Sequence, residues 1–339
     1  MPFLAFLHRI AGHSSLDAEE AEQALGLILE GEVSAPQIAA FLVAMRMKGE
    51  TGPELLGLAR AMRARSLRVD VADLTQPVLD TCGTGGDATG SFNISTLAAL
   101  AVAGTGVRVA KHGNRSMASH CGSADILEAL GVKIALEPRR MADCIRRAGI
   151  GFLFAPALHP AMKHAQPARG ELKMRTVLNL LGPLTNPAGA RFQLIGAPSE
   201  EAARLMAWTL AELGTGRAYV VHGSDGMDEI TTTGSTLVLE VAHDRVVEHV
   251  WQPADFGVPR ANLADFAAPA MDGNLRIARE VLAGVPGPCR DIVLVNAAAA
   301  LMAAGVATEP REGVILAERS LDSGAARERL ESLILESNR

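Results

Sequence analysis

The sequence predicts an α/β protein in which a small all-helical segment precedes a larger part with a mostly parallel central sheet. Helix start signals recur through the first 70 residues, and short strand candidates alternate with helical segments from about residue 74 onwards. Hydrophobic residues make up 48% of the 339 positions, enough to build a sizeable core. Neither a repeat nor a low-complexity linker separates the two parts, so the boundary between them must be tight.

The composition argues against several classes of partner and site. Lys and Arg number 32 and Asp and Glu 38, giving a net charge of −6, whereas duplex-binding proteins usually carry a basic surface. Aromatic residues make up only 4%, which argues against a base-stacking platform. The four cysteines form no C-x-x-C pair, so we expect reduced thiols and no zinc site. No apolar run is long enough for a signal peptide or a membrane span, and we expect a soluble cytoplasmic protein.

The N-terminal segment contains three capping-box patterns, each of which predicts a helix start. They are Asp17–Glu20, Ser34–Gln37 and Thr51–Glu54. In this pattern the first residue and the acid or amide three positions later satisfy each other's backbone N–H groups. The predicted helices have about three turns each, so we expect them to depend on tertiary packing of their apolar faces.

From Leu74 the pattern changes to strands alternating with helices. The strand candidates are Val78–Cys82, Val107–Ala110, Ile150–Phe154, Gln193–Gly196 and Ala218–His222, with helices at Ile94–Gly104 and Ser123–Leu130. Thr236–Val241 and Val246–Trp251 are predicted to pair as a hairpin, and the chain is helical again from Asp272. The alternation predicts parallel strands, and ligands in such sheets bind at the carboxyl ends of the strands.

A glycine-rich turn, Asp80–Asp87, lies where the first strand ends and a helix begins. Glycines there let backbone N–H groups approach an anion, and the helix start adds a favourable dipole. The turn is not a dinucleotide or Walker A loop, because Ala88 occupies the third glycine position and no Lys-Ser/Thr pair follows. A plain tight turn is the alternative. The next residues, Asn93–Thr96, are ordinary cap residues, but beside this turn they would suit phosphate oxygens or a metal.

Two further segments follow strands. Lys111–Ser116 comes just after the second strand and combines two cations, an amide and a hydroxyl beside a glycine, which suits a multiply charged phosphate; an exposed loop is the alternative. Asp228 and Glu229 follow a later strand, and beside a phosphate site they would suit Mg²⁺, although an isolated pair is more typical of a surface turn.

Arg169 and Arg175 are candidates for pairing with a substrate carboxylate. We find no nucleophile motif, so the predicted site has little acid–base machinery.

These motifs, in this order, resemble the anthranilate phosphoribosyltransferase family over nearly the whole chain. The matching segments are Gly83–Asp87, Asn93–Thr96, Lys111–Arg115, Gly122–Asp125, Asn179–Pro187 and Asp228-Glu229. The resemblance implies a nucleoside phosphorylase and phosphoribosyltransferase-like fold, with a helical domain at 1–73, joined by helices from about 168–190, and an α/β domain at 74–339. It also implies a site at the hinge and a homodimer formed through the helical domain.

The resemblance implies that anthranilate attacks phosphoribosyl pyrophosphate (PRPP), giving N-(5-phosphoribosyl)anthranilate and pyrophosphate in tryptophan biosynthesis, with Mg²⁺ as cofactor and no residue acting as acid or base. It assigns PRPP binding to Gly83, Gly86, Asp87, Ser91, Asn93, Ile94, Ser95, Thr96, Lys111, His112, Gly113, Asn114, Arg115, Ser116, Ser119 and Ser123. It assigns anthranilate to Gly83, Asn114 and Arg169, and Mg²⁺ to Ser95, Asp228 and Glu229. Ala88, Ser91, Ala118 and Lys173 replace the family's usual Gly, Thr, Ser and Gly.

Two other functions compete with this one. A pyrimidine nucleoside phosphorylase shares the architecture but would bind phosphate and a nucleoside, and Lys111–Arg115 with Asp228-Glu229 favours transfer from PRPP. A non-catalytic nucleic-acid-binding relative would have a basic surface and no metal carboxylates, contrary to the net charge of −6 and the Asp228-Glu229 pair.

Overall fold

Helices come first along the chain, and strands that alternate with helices follow. In the computed structural model of the protein, the described residues are 2–85, 89–115, 121–268 and 270–339, without the side chain of Pro2. Within these ranges the α-helices are α1 (Pro2–Ala11), α2 (Ala18–Glu30), α3 (Ala35–Lys48), α4 (Gly52–Ala64), α5 (Ile94–Gly104), α6 (Ser123–Ala129), α7 (Pro138–Ala148), α8 (Ala155–Leu158), α9 (Gln166–Leu172), α10 (Leu181–Leu184), α11 (Glu200–Glu212), α12 (Met271–Leu282), α13 (Pro288–Ala303), α14 (Pro310–Asp322) and α15 (Ala325–Asn338). The strands are β1 (Val78–Asp80), β2 (Arg108–Gly113), β3 (Ile150–Phe154), β4 (Phe192–Gly196), β5 (Arg217–Gly223), β6 (Thr236–Ala242) and β7 (Arg245–Trp251). Short 3-10 helices lie at Pro160–His164, Val177–Asn179, Pro253–Phe256 and Leu263–Phe266.

The three predicted capping boxes begin α2, α3 and α4, as expected. The backbone N–H of Asp17 donates to Glu20 over 3.0 Å, and that of Thr51 donates to Glu54 over 2.9 Å. Because α2 and α4 pack closely, Gly57 has no room for a side chain: a Cβ there would lie 2.1 Å from the carbonyl oxygen of Ala18. The short helices are therefore held by each other, as their length requires.

The described strands form one sheet in the order β3-β2-β1-β4-β5-β6-β7. Strands β1 to β5 pair in parallel, and β6 and β7 add an antiparallel hairpin at one edge. The mostly parallel sheet, the hairpin and the helical N-terminal part confirm the fold predicted from the alternation of strands and helices. Because β1 lies between β2 and β4, the loops that follow these strands meet at one edge of the sheet.

Two predicted strand ends were wrong by two or three residues, while the other strand boundaries differ from the prediction by one residue at most. Strand β2 continues to Gly113, so the first part of the Lys111 motif lies on a strand and not in the loop after it. The reason is pairing with β3, in which His112 lies beside Leu153. Strand β1 ends at Asp80, two residues earlier than predicted, because the Thr81 carbonyl accepts a hydrogen bond from the side chain of Lys111 and not from a neighbouring strand.

The two faces of the sheet belong to different apolar clusters. Along β5, Tyr219 and Val221 pack with α5 and the C-terminal helices, while Ala218 and Val220 pack with α11 and the cluster that contains α1–α4. That second cluster also includes residues of α9 and α10. The division at residues 73 and 74 stays a prediction, because the N-terminal helices share their core with one face of the sheet.

Among the described residues, no helix combines the length and the apolar character needed to cross a membrane.

Candidate active site

The described residues of three predicted motifs, the glycine-rich turn, the Lys111 segment and the Asp228-Glu229 pair, lie at the carboxyl ends of β1, β2 and β5. The glycine-rich turn follows β1, helix α5 begins shortly after it, and the turn with Asp228 and Glu229 follows β5. The Asp228 side chain accepts hydrogen bonds from the Gly85 N–H at 3.1 Å and from the Thr84 hydroxyl at 3.4 Å. A Cβ on Gly83 would lie 3.1 Å from the same carboxylate. The two motifs predicted to act together are therefore in contact.

Gly196, the last residue of β4, lets these two turns come together. Its carbonyl accepts a hydrogen bond from the Thr84 N–H at 3.0 Å. On its other side, a Cβ would lie only 1.6 Å from the backbone oxygen of Asp228. Only glycine leaves space for the Asp228 backbone at this point, although its own φ is not in the left-handed region.

The start of α5 binds the second carboxylate. The Ser95 N–H donates to a Glu229 side-chain oxygen at 3.2 Å. This N–H is one of those that a helix leaves without an internal partner, and the helix dipole favours a negative charge there. Asn93, the N-cap residue, does not supply the usual side-chain bond. An acidic oxygen thus already occupies the Ser95 N–H, one of the groups at this helix start that could bind an anion.

Lys111 lies behind Ser95 and is only 2% exposed. Its Nζ donates to the Thr81 carbonyl at 2.9 Å, to the Thr81 hydroxyl at 3.3 Å and to the Ser95 hydroxyl at 3.2 Å. Burial lowers the pKa of this amine, while nearby acidic groups that include Asp80 and Glu229 oppose the shift. Its nearest partners are protein groups, so the phosphate contact implied by the resemblance stays a prediction.

Asp80 anchors the carboxyl end of β1. One carboxylate oxygen accepts from the His112 N–H at 3.0 Å and the other from the Asn186 amide at 2.7 Å. The same Asn186 amide donates to the carbonyl of Ala110 at 2.8 Å. Burial raises the pKa of Asp80 to about 6, although these hydrogen bonds and Lys111 act in the opposite direction. This network ties the resemblance segment 179–187 to β1 and β2.

Two buried histidines lie in contact beside this network. The Nδ1 atom of His112 lies 2.9 Å from the Gly182 carbonyl, so it must carry the proton. Its Nε2 then accepts from His159 Nε2 at 3.3 Å. Burial lowers the pKa of His112 to about 4 and that of His159 to about 3, so both rings are neutral near pH 7.

The second loop is held to the start of α6. The Ser123 hydroxyl donates to the Asn114 carbonyl at 3.3 Å, and the Arg115 guanidinium pairs with Asp125 at 2.8 Å. A Cβ on Gly113 would lie 2.4 Å from the Ser123 oxygen, so this strand end also requires glycine. The exposed Arg115 therefore already has an acidic partner.

Arg169 lies on α9, which packs against α3. It is partly buried, and burial lowers the pKa of its guanidinium. In the described part of the chain no hydrogen bond or ion pair holds that guanidinium, so nothing there joins it to Gly83 or Asn114. Arg175 does contact the glycine-rich turn, because its Nη2 donates to the Gly85 carbonyl at 3.0 Å.

Some of the remaining predicted site residues lie near the start of α5, and others lie outside the described residues. Ile94 and Thr96 are buried at the start of α5, and the Thr96 hydroxyl has no hydrogen-bond partner among the described residues. Ser91 forms a β-bridge with Ala267. Gly86, Asp87, Ser116 and Ser119, together with the departures at Ala88 and Ala118, lie outside the described residues.

Sequence reasoning did not find the residues that support the site. Asn186 and Asn274 fix the groups around them through their side-chain amides. Asn186 lies in the resemblance segment 179–187 but was given no role there, and Asn274, a single Asn in a helix, gives no sequence signal. Asp80 belongs to the predicted glycine-rich turn Asp80–Asp87, and this position beside the first strand was the available hint. Asp80 is 32 positions from His112 and 106 from Asn186, and Asn274 is 181 positions from Asn93.

One other group of potential metal ligands exists in the described residues. Side-chain atoms of Asp80, Cys82 and His112 lie within 4.8 Å of one another. Burial raises the pKa of the Cys82 thiol well above its usual range, and the Asp80 and His112 atoms already have protein partners. The group is therefore structural. Ser95, Asp228 and Glu229 carry the kind of oxygen atom that Mg²⁺ prefers, and their role as its ligands stays a prediction.

Comparison with known proteins identifies the class. Residues 4–66 match the helical bundle domain of a glycosyl transferase family, and residues 75–327 match the a/b domain of that family. Together, the fold, the candidate site and these two matches place the protein in the class of glycosyl transferases that have a helical bundle domain and an a/b domain.

Individual relatives show which family within this class the chain belongs to. An anthranilate phosphoribosyltransferase from Solibacter usitatus is 57% identical over 98% of both chains. A crystal structure of the enzyme of that name from Thermus thermophilus is 42% identical, with a TM-score of 0.91 over 98% of this chain and 99% of that one. The chain belongs to the anthranilate phosphoribosyltransferase family, which confirms the resemblance seen in the sequence.

Solved structures of the Saccharomyces cerevisiae enzyme include complexes with ligands. One, in complex with PRPP and Mg, is 28% identical with a TM-score of 0.90, over 99% of this chain and 98% of that one. Another, in complex with 4-fluoroanthranilate, is 26% identical with a TM-score of 0.87, again over 99% of this chain and 98% of that one.

Proposed function

We propose that this protein transfers the phosphoribosyl group of PRPP to the amine of anthranilate, releasing pyrophosphate, as a step of tryptophan biosynthesis. The observation that carries the proposal is the meeting of anion-binding N–H groups and carboxylates at one edge of the sheet. The N–H groups of Gly85 and Ser95 bind the Asp228 and Glu229 carboxylates at 3.1 and 3.2 Å. Membership of the family, and the PRPP and Mg complex of the yeast enzyme, support this assignment.

The donor set fits Mg²⁺. Asp228 and Glu229 supply hard carboxylate oxygens, and Ser95 adds a hydroxyl whose oxygen accepts from Lys111. When bound, Mg²⁺ would neutralise charge on the pyrophosphate leaving group. The chain's own part is to hold these oxygens: Gly196 leaves space for the Asp228 backbone, and the buried Lys111 fixes the Ser95 side chain.

The proposed nucleophile is a neutral aromatic amine, which needs no strong base before it attacks. This agrees with the site, where His112 and His159 are both buried and neutral. Arg169 is the proposed partner of the anthranilate carboxylate, because it is a partly buried cation with no ion pair in the described residues and could pair bidentately. Catalysis would then depend on positioning and on stabilising charge in the transition state.

A homodimer formed through the helical domain and a cytoplasmic location belong to the same proposal. All four cysteines are free, and three of them are buried, as suits a reducing compartment. Exposed apolar side chains on α1 and α3, Leu4 at 36% and Met47 at 74%, are consistent with contact between helical parts.

The test uses the fluorescence of anthranilate. Mixing the protein with PRPP, Mg²⁺ and anthranilate should make the signal decay, and omission of PRPP or Mg²⁺ should stop the decay. No decay, together with cleavage of thymidine in the presence of phosphate, would replace the transferase by a nucleoside phosphorylase.

A further inference from the structure

Asn274, at the start of α12, is a buried amide with every polar atom in use. It is 3% exposed. Its Oδ1 accepts from the Asn93 backbone N–H at 3.2 Å and from Asn93 Nδ2 at 3.1 Å. Its own Nδ2 donates to the carbonyls of Ala268 and Ala270 at 3.3 and 3.2 Å. A residue 181 positions further along the chain therefore fixes a residue of the predicted phosphate site.

These contacts determine which way the Asn93 amide points. Its Nδ2 also donates to the Cys121 carbonyl at 3.2 Å. A backbone carbonyl only accepts, and the Asn274 oxygen is identified by the backbone N–H that it receives. A flipped Asn93 would place its oxygen against two acceptors, so the assignment is fixed. Both Asn93 N–H groups are used, and its Oδ1 receives no hydrogen bond from the described residues.

The segment around Asn274 is attached to the site at further points. The Phe92 N–H donates to the Phe266 carbonyl at 3.0 Å, and the Ala268 N–H donates to the Gly90 carbonyl at 3.1 Å. Asn93 gives up the capping bond that an N-cap residue normally makes. The Asn93 side chain is therefore held by the segment around Asn274 and does not cap α5.

We propose that Asn274 is a positioning residue of the PRPP site, which holds the Asn93 amide so that only its oxygen remains for a ligand. A bare acceptor oxygen does not bind an unprotonated phosphate oxygen, because neither atom carries a hydrogen. Among the groups of PRPP, only the ribose hydroxyls carry a hydrogen that this oxygen can accept. The geometry therefore assigns Asn93 to a ribose hydroxyl of PRPP, whereas the sequence resemblance implied a phosphate contact. This inference rests on the proposed function.

The test compares Asn93→Ala, Asn274→Ala and the double variant by calorimetry, with PRPP and Mg²⁺ or with pyrophosphate and Mg²⁺ as the ligand. We expect each single variant to bind PRPP about tenfold more weakly, or about 1.4 kcal/mol. The double variant should be no weaker than either single one, because both remove the same contact. Binding of pyrophosphate, which has no ribose, should not change. In the kinetics, the PRPP KM should rise more than kcat falls.

Ser320→Ala is the matched control. Ser320 is 3% exposed, and its hydroxyl donates to the Ala101 carbonyl at 2.7 Å, near the other end of the same helix α5. The control should lose stability and keep PRPP affinity. Asn274→Ser replaces Asn274→Ala if the alanine variant does not fold, with the same expected loss of affinity.

The inference is overturned if Asn274→Ala loses stability but binds PRPP like the wild-type protein, or if Asn93→Ala weakens pyrophosphate as much as PRPP. A wild-type protein that binds no PRPP would instead refute the proposed function itself.

Discussion

The substitution Gly196→Ala is expected to disrupt the candidate site, because the added Cβ collides with the backbone of Asp228. The added Cβ would lie 1.6 Å from the Asp228 carbonyl oxygen and 2.6 Å from its carbon, whereas ordinary contact begins at 3.4 Å. One of the two backbones must therefore retreat by almost 2 Å. Overpacking of this kind costs about 1–3 kcal/mol of stability. A misplacement of about 1 Å near reacting groups can cost roughly 100-fold in rate.

We therefore expect Gly196→Ala to fold with reduced stability, to lose roughly 100-fold in kcat/KM, and to need more Mg²⁺ for half-maximal rate. Urea unfolding measures the first effect, and anthranilate fluorescence decay at graded Mg²⁺ measures the others. Gly170→Ala is the control: Gly170 lies on α9, and a Cβ added to it would have no neighbouring atom within 4 Å, so its kinetics should not change. A Gly196→Ala protein with wild-type rate and Mg²⁺ dependence would refute the reasoning.

Three other predictions follow from single residues. Arg169→Ala should raise the anthranilate KM strongly with less effect on the PRPP KM, and an unchanged anthranilate KM in steady-state kinetics would exclude Arg169 as the carboxylate partner. Lys173 has a left-handed φ of 45°, so Lys173→Gly should stabilise the protein by about 1 kcal/mol in urea unfolding; a loss of stability would show that the backbone is not strained there. Burial lowers the pKa of His159 to about 3, below its unfolded value of about 6.5, so its contribution to stability is present above pH 6.5 and is lost as pH falls towards 3. In His159→Phe the slope of unfolding free energy against pH, measured between about pH 4.5 and 6, should decrease by about 1.4 kcal/mol per pH unit, and an unchanged slope would contradict the assignment.

The fold was largely predictable because its signals are local. Capping boxes such as Asp17–Glu20 act within one turn, and the alternation of strands and helices limits the topology to a parallel sheet. Strand ends were less predictable, since β2 extends to Gly113 only because β3 is there to pair with it. Local sequence contains no information about that partner.

The site was predictable where residue types cluster in sequence, as in the Asp228-Glu229 pair and the turn before α5. It was not predictable where the function of a residue depends on distant contacts. Lys111 looks like a phosphate ligand by its neighbours, yet its nearest partners are Thr81 and Ser95. Asn274 acts on Asn93 across 181 positions, which no motif reveals.

The most direct test of the central claim is the product balance of one reaction. Protein, PRPP, Mg²⁺ and anthranilate are mixed, and the pyrophosphate released is counted against the anthranilate consumed. We predict a ratio of about one, with both quantities falling to background in Glu229→Gln, which removes one of the two carboxylates proposed for Mg²⁺. Pyrophosphate release without consumption of anthranilate, or full activity of Glu229→Gln, would contradict the proposed reaction at this site.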